Sequence, residues 1–185
     1  LNSGGANCYT GAQGFQTTHA TAERVAEVLG CSAGDVLVCS TGLIGEQLDL
    51  AKMQAGVATA AEELSAENGH LAAEAIMTTD SVPKIASALI NGASFTGIAK
   101  GAGMLAPALA TMLSVVMTDA IVSGNAQQIF ERVTDRTFNR IDSDGCTSTN
   151  DTVLFMSSGA SGVSISDQDL ESTLMQVCGS LADQL

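Results

Sequence analysis

"KIASALINGASFTGIAK", residues 84–100, is the stretch on which the fold turns. Two strand-like runs flank Asn91–Gly92. An Asn-Gly pair between such runs favours a type I′ hairpin turn, because both central residues must take positive φ. The next apolar run, "TMLSVVMTDA" (111–120), reads as a buried strand. Helical patterns follow in "NAQQIFERVTDRTFNRI" (125–141) and "SDQDLESTLMQVCGSLADQL" (166–185). In the second, Leu170, Leu174, Val177, Cys178 and Leu181 fall on one inner face.

Upstream, "TTHATAERVAEVLG" (17–30) reads as a helix with Thr18 as N-cap and Gly30 as the stop. Its inner face is Ala22, Val25, Ala26 and Leu29. "DVLVCS" (35–40) reads as a short strand entering the turn "TGLIG" (41–45). Asp49 can cap a helix carrying Leu50, Met53, Val57 and Leu64 on one stripe, which "ENGH" (67–70) ends. Strands and helices alternate irregularly, so an α/β or α+β sandwich is expected. No repeat and no Pro-rich linker divides the 185 residues.

Composition narrows the function. Seven Lys and Arg against 20 Asp and Glu give a formal charge of −13. Phosphate backbones and anionic membranes need clustered cations, so nucleic acid and a membrane surface are poor partners. No apolar run reaches the about 18 residues of a membrane helix. Hydrophobic residues make up 45% and aromatics 3%, which implies a core of small and aliphatic side chains. Cys8, Cys31, Cys39, Cys146 and Cys178 are odd in number and form no CxxC. They read as reduced, mostly buried thiols of a cytoplasmic protein. The chain opens without Met and stops in helical phase, which reads as an internal piece of a longer polypeptide.

Several motifs compete for a chemical role. Gly101, Gly103 and Ala106 satisfy G-x-G-x-x-A, but a hairpin precedes them and Pro107 replaces the expected helix, so a tight turn is the better reading. "DSDGCTSTND" (142–151) fails the calcium-loop spacing and reads as a turn whose Asn150 and Asp151 bond the backbone. His19 and His70 lack ligand spacing and read as surface or packing residues. Thr111 stands in an apolar run, where strand propensity alone explains a threonine. It is also a candidate nucleophile at a self-cleaving Ala110–Thr111 bond. The α-amine freed there has an ordinary pKa of about 7.7–8.0, against about 10.4 for Lys100. The amine is therefore the better base, and Lys100 is left charged to hold a carboxylate. Thr41 and Gly42 at a strand end can donate a hydroxyl and an N–H to an oxyanion, or simply make a turn.

In order, "LNSGGANCYTG", "HATAE", "CSTGLIG", "IMTTD", "IAKGAGMLAPALATML" and "TSTND" resemble the bifunctional glutamate/ornithine N-acetyltransferase (ArgJ) family of arginine biosynthesis, over essentially the whole chain. The resemblance implies an αββα-type sandwich, the self-processing ornithine acetyltransferase and DmpA-like fold, truncated at both ends. It implies autocatalytic cleavage between Ala110 and Thr111, dividing an α-chain region (1–110) from a β-chain region (111–185) within one intertwined structural unit. The cleaved chains would form a heterotetramer. Thr111 matches the nucleophile, Thr41 and Gly42 the oxyanion pair, and Thr78 and Lys100 substrate-binding positions, with Thr111 also touching substrate. The implied reaction is ping-pong acetyl transfer from N-acetylornithine to glutamate. No metal or organic cofactor is expected, with acetyl-CoA open as a co-substrate. A self-processing aminopeptidase of the same fold and an inactive structural fragment are the rival readings.

Overall fold

The computed structural model describes residues 1–103, 105–106, 109–110, 112–142 and 144–185. The chain is mixed α/β. It divides into two compact units, Leu1–Thr78 and Thr79–Leu185. Ala110 and Met112, on either side of the candidate nucleophile, both belong to the second unit.

The first unit contains β1 (Asn2–Gly5), α1 (Gly11–Leu29), β2 (Ser40–Leu43), α2 (Leu50–Glu62) and α3 (Gly69–Ala75). β1 and β2 are parallel, with Ser3 opposite Thr41 and Gly4 opposite Gly42, and α1 is the crossover between them. The helix starts earlier than its sequence suggests. Thr18 is not the N-cap but lies in mid-helix, where its hydroxyl donates to Gly14 O and accepts from Asn7 Nδ2 at 2.7 Å. The cause is Asn7, which also donates to Gly14 O and accepts from the Thr10 hydroxyl, tying the first turn to the loop before it. The buried stripe is Gly14, Thr17, Thr21, Ala22 and Ala26, whereas Leu29 is exposed. The Thr21 hydroxyl donates back to Thr17 O at 2.8 Å, so it meets its polar need inside the helix. Gly30 ends it at φ 69°, as expected.

Two further expectations shift. The strand read at 35–40 forms instead at Ser40–Leu43, because β1 supplies a ladder only from Cys39 onward, where Asn2 N donates to Cys39 O. Asp49 caps α2 by accepting from Lys52 N, but Leu64 falls beyond that helix and is exposed. The sequence reads "ENGH" (67–70) as the stop of this helix; α2 already ends at Glu62, and that stretch instead lies across a helical turn at Ala66–Asn68 and the start of α3.

The second unit is built on a four-stranded sheet in the order β3-β4-β7-β8, with β3 Lys84–Ile90, β4 Ala93–Lys100, β7 Leu113–Thr118 and β8 Thr152–Ser157. Between β4 and β7 lies a small antiparallel pair, β5 (Leu105–Ala106) with β6 (Leu109–Ala110). The hairpin is as read: Asn91 and Gly92 have φ of 52° and 90°, and Ile90 pairs with Ala93. β4 and β7 are antiparallel, Lys100 facing Leu113. β7 and β8 are parallel, joined through α4 (Ala126–Arg136).

α5 (Asp167–Gln184) buries Leu170, Leu174, Val177, Cys178 and Leu181, the face its spacing predicts. These join Phe95, Val116, Ile129, Val133 and Phe138 in one core. Gly97 lets α5 approach the sheet: a Cβ there would stand 2.8 Å from Leu181 Cδ1 and 3.1 Å from Val177 Cγ1. Of the five free thiols only Cys39 and Cys178 are buried; Cys31 and Cys146 lie exposed on polar turns, so burial is not their rule. Burial pushes the Cys178 thiol up to about 12, which leaves it inert. Among the described residues no helix is long and apolar enough to cross a membrane.

Candidate functional site

In the second unit, the end of β4 carries Lys100 into the interior at 1% exposure. A lysine can be buried only where opposite charge or polar groups receive it. Asp80 is that partner. Its Oδ1 accepts from Lys84 Nζ at 2.6 Å and from Gly101 N at 2.7 Å, and its Oδ2 lies 4.0 Å from Lys100 Nζ. One buried carboxylate thus ties both ends of the β3–β4 hairpin and faces two buried cations. Burial pulls the Lys100 ammonium below its ordinary range; Asp80 acts against this, Lys84 adds to it, and Asp151 again opposes it.

Asp151 precedes β8 and meets the start of β7. Its Oδ1 accepts from Met112 N at 2.9 Å, while Met112 O accepts from Thr152 N at 3.1 Å. Burial raises the Asp151 carboxyl to about 6, against the pull of the Ser148 hydroxyl, the Met112 amide and the Lys100 charge. Lys100, facing Leu113, and Asp151, bonded to Met112, therefore bracket the backbone that leads out of residue 111.

In the first unit, Thr41 is buried on β2 beside Gly42. Gly42 has φ 129°, and a Cβ on it would stand 2.4 Å from Gly4 C and 2.6 Å from Gly4 O. Only glycine allows β1 and β2 to close here. Gly42→Ala is expected to cost about 1–3 kcal/mol through overpacking and backbone strain, read by urea unfolding.

The sequence-derived candidates therefore separate as follows. Thr41 and Gly42 are neighbours on β2, and Thr78 is the last residue of the first unit. Lys100 stands with Asp80, Lys84 and Asp151 in the second. Thr111 lies outside the described residues; Ala110 is paired with Leu105 across β5 and β6. Asp80, Lys84 and Asp151 were missed as site residues. The signal for the first two was a charged pair four residues apart beside an apolar hairpin; Asp151 read as an ordinary turn residue. The acidic loop does behave as a turn, with Asp142 and Asp144 accepting from Gly145 N and Cys146 N. The His19 ring lies tilted against Phe15, and His70 pairs with Glu74, both on exposed helix faces. Among the described residues no cluster of His, Cys, Asp and Glu could hold a metal ion.

A family model described as the ArgJ family matches residues 1–185. The chain belongs to the ArgJ family. It is 52% identical to the arginine biosynthesis bifunctional protein ArgJ of Thermobifida fusca and 54% identical to that of Streptomyces coelicolor, in each case over 100% of this chain and 49% of the relative. The chain thus spans about half the length of the curated relatives it matches. Among solved structures, the arginine biosynthesis bifunctional protein argJ of Bacillus halodurans shares 35% identity at a TM-score of 0.50, over 57% of this chain and 58% of that one. The mixed α/β architecture agrees with that ArgJ structure.

Proposed function

We propose that this ArgJ-family chain is the nucleophile-bearing part of an acetyltransferase that moves an acetyl group from N-acetylornithine to glutamate in the cytoplasm. The observation that carries the reading is the buried Lys100 with its charge partners, set on the strand paired with the one that follows Thr111. A desolvated cation suits a substrate that presents a carboxylate.

The hydroxyl serves twice. Thr111 Oγ first attacks the Ala110 carbonyl; the acyl group shifts from nitrogen to oxygen, and water hydrolyses the ester. This leaves a carboxylate on Ala110 and a free α-amine on Thr111. That amine then takes the Oγ proton as Oγ attacks the acetyl carbonyl of N-acetylornithine. Ornithine departs with the proton; the glutamate amine then attacks the acetyl carbonyl, its proton passing by way of the Thr111 α-amine to Oγ as the ester bond breaks, and N-acetylglutamate leaves. The Thr41 hydroxyl and the Gly42 amide supply oxyanion donors, each worth about 10²–10³ in rate. Thr78 and Lys100 bind substrate. Both cut chains stay together and pair into a heterotetramer. Acetyl-CoA is a second acetyl source to assay beside N-acetylornithine. The free thiols fit a reducing compartment.

The test is acetyl exchange by the protein expressed at the length of its relatives. Transfer to glutamate supports the reading; peptide hydrolysis without transfer favours the aminopeptidase. Lys100→Met keeps the volume and removes the charge. It is expected to raise KM for N-acetylornithine at least about 10-fold, the scale of one charge-assisted contact. Unchanged KM and kcat would refute the role of Lys100.

A further inference from the structure

The register that pairs Lys84 with Ala99 brings two lysines, Lys84 and Lys100, to the open end of the β3–β4 hairpin. Both are buried, at 4% and 1% exposure. One carboxylate meets both, and the Asp80 side chain is itself fully buried. Its two oxygens are used unequally. Oδ1 accepts from Lys84 Nζ at 2.6 Å and from Gly101 N at 2.7 Å, which fixes the carboxylate at two points. Oδ2 stands 4.0 Å from Lys100 Nζ, close enough for strong charge coupling but longer than a hydrogen bond. Tying the hairpin accounts for the Lys84 and Gly101 contacts. It does not account for a second lysine buried beside the same anion, since an aliphatic side chain would fill that space without desolvating an ammonium.

We propose that Asp80 is a positioning residue for Lys100: it keeps the buried Lys100 ammonium charged for a substrate carboxylate, while Lys84 and the Gly101 amide hold Asp80 back from closing on Lys100. The assignment rests on the reading of Lys100 as a substrate-binding residue given above. Two needs conflict at such a site. A lysine taken out of water loses its proton more easily, and a neutral amine has no charge to offer a carboxylate. A carboxylate in full contact would keep that charge but compete with the substrate for it. A carboxylate tethered 4.0 Å away meets both needs, because its field retains the proton while its Oδ1 is committed to Lys84 and Gly101. The charged groups facing Lys100 are Asp80 from the segment before β3, Lys84 from β3 and Asp151 from the segment before β8. Burial lowers the Lys100 ammonium; Asp80 opposes this most, Lys84 adds to it, and Asp151 opposes it less.

The test titrates the Lys100 ammonium by nitrogen NMR in the protein at the length of its relatives, with the signal assigned by its loss in Lys100→Met. Lys84→Met removes the like charge and leaves Lys100 as the cation facing Asp80. The double variant Lys84→Met/Asp80→Asn then removes the anion, keeps an acceptor for Gly101 N, and leaves no Lys84 charge without its partner. Lys100 is expected to titrate higher in Lys84→Met than in the wild type, and at least about one unit lower in the double variant than in Lys84→Met. Equal values in the two variants overturn the proposal. Should Lys84→Met not fold, the double variant is compared with the wild type. It too should titrate lower, because Asp80 outweighs Lys84 at Lys100; an equal or higher value overturns the proposal. Kinetics separates positioning from mere support. The pH above which KM for N-acetylornithine climbs should fall in the double variant by at least about one unit relative to Lys84→Met, and KM rather than kcat should carry the effect. A KM raised equally at every pH would mean that Asp80 only supports the fold, and would overturn the proposal. An unchanged KM in Lys100→Met would instead overturn the reading of Lys100, while the titrations still report whether Asp80 holds its proton.

Discussion

Thr111→Ala is expected to leave one uncut chain that transfers no acetyl group. Both losses come from one atom. Without Oγ there is nothing to attack the Ala110 carbonyl, so no ester forms for water to open. Without the cut there is no α-amine to act as base, and without Oγ there is no acceptor for the acetyl group. An amino-terminal nucleophile supplies its hydroxyl and its base from a single residue, so no neighbour substitutes for it. Thr111→Ser should keep both steps at reduced rate, since it retains a hydroxyl and still yields an α-amine. Intact mass reports cleavage, and acetyl exchange reports transfer. A cut chain in the alanine variant would end the account of self-cleavage, and retained transfer would end that of the acetyl-enzyme.

Asp80→Ala should be the most damaging single change to the stability of the second unit. Asp80 is buried and is the short-range anion for Lys84 Nζ and the acceptor for Gly101 N. Its removal leaves a 4%-exposed lysine with its nearest charge gone and a buried amide without its acceptor. Removing one partner of a buried ion pair costs about 3–5 kcal/mol, because the other charge stays desolvated. Against a typical total of about 5–15 kcal/mol, that is a large share. The double variant Asp80→Ala/Lys84→Met should recover part of the loss, since it removes the orphaned charge as well. Urea unfolding of the single and double variants checks this. A loss below about 1 kcal/mol in the single variant would mean that the cluster is not holding the hairpin together.

What the sequence made legible follows the physics of each signal. The Asn91–Gly92 turn was readable because its positive φ values demand those residue types, and the inner face of α5 because five apolar side chains repeat at helical spacing. The start of α1 was not readable: its first turn is held by Asn7 and Thr10 from the preceding loop, and its buried stripe is largely threonine and glycine. β2 was displaced because the pairing of a strand depends on where its partner runs. β8 escaped notice as a short edge strand behind a polar loop. For the site, the local motifs around Thr41, Thr78, Lys100 and Thr111 were visible as letters. Asp80 and Asp151 were not, since their roles arise from contacts 21 and 39 residues away, to Gly101 and Met112. Burial gives a turn aspartate its importance, and burial is a property of the folded chain.

The central claim is that Thr111, once exposed as an amino terminus, carries the acetyl group. Its most direct test is to incubate the protein at the length of its relatives with N-acetylornithine and no glutamate, quench it, and map the peptides by mass. The account predicts one added acetyl group on the peptide that begins at Thr111, lost again when glutamate is added before the quench. Steady transfer to glutamate with no acetyl group ever found on that peptide would contradict it.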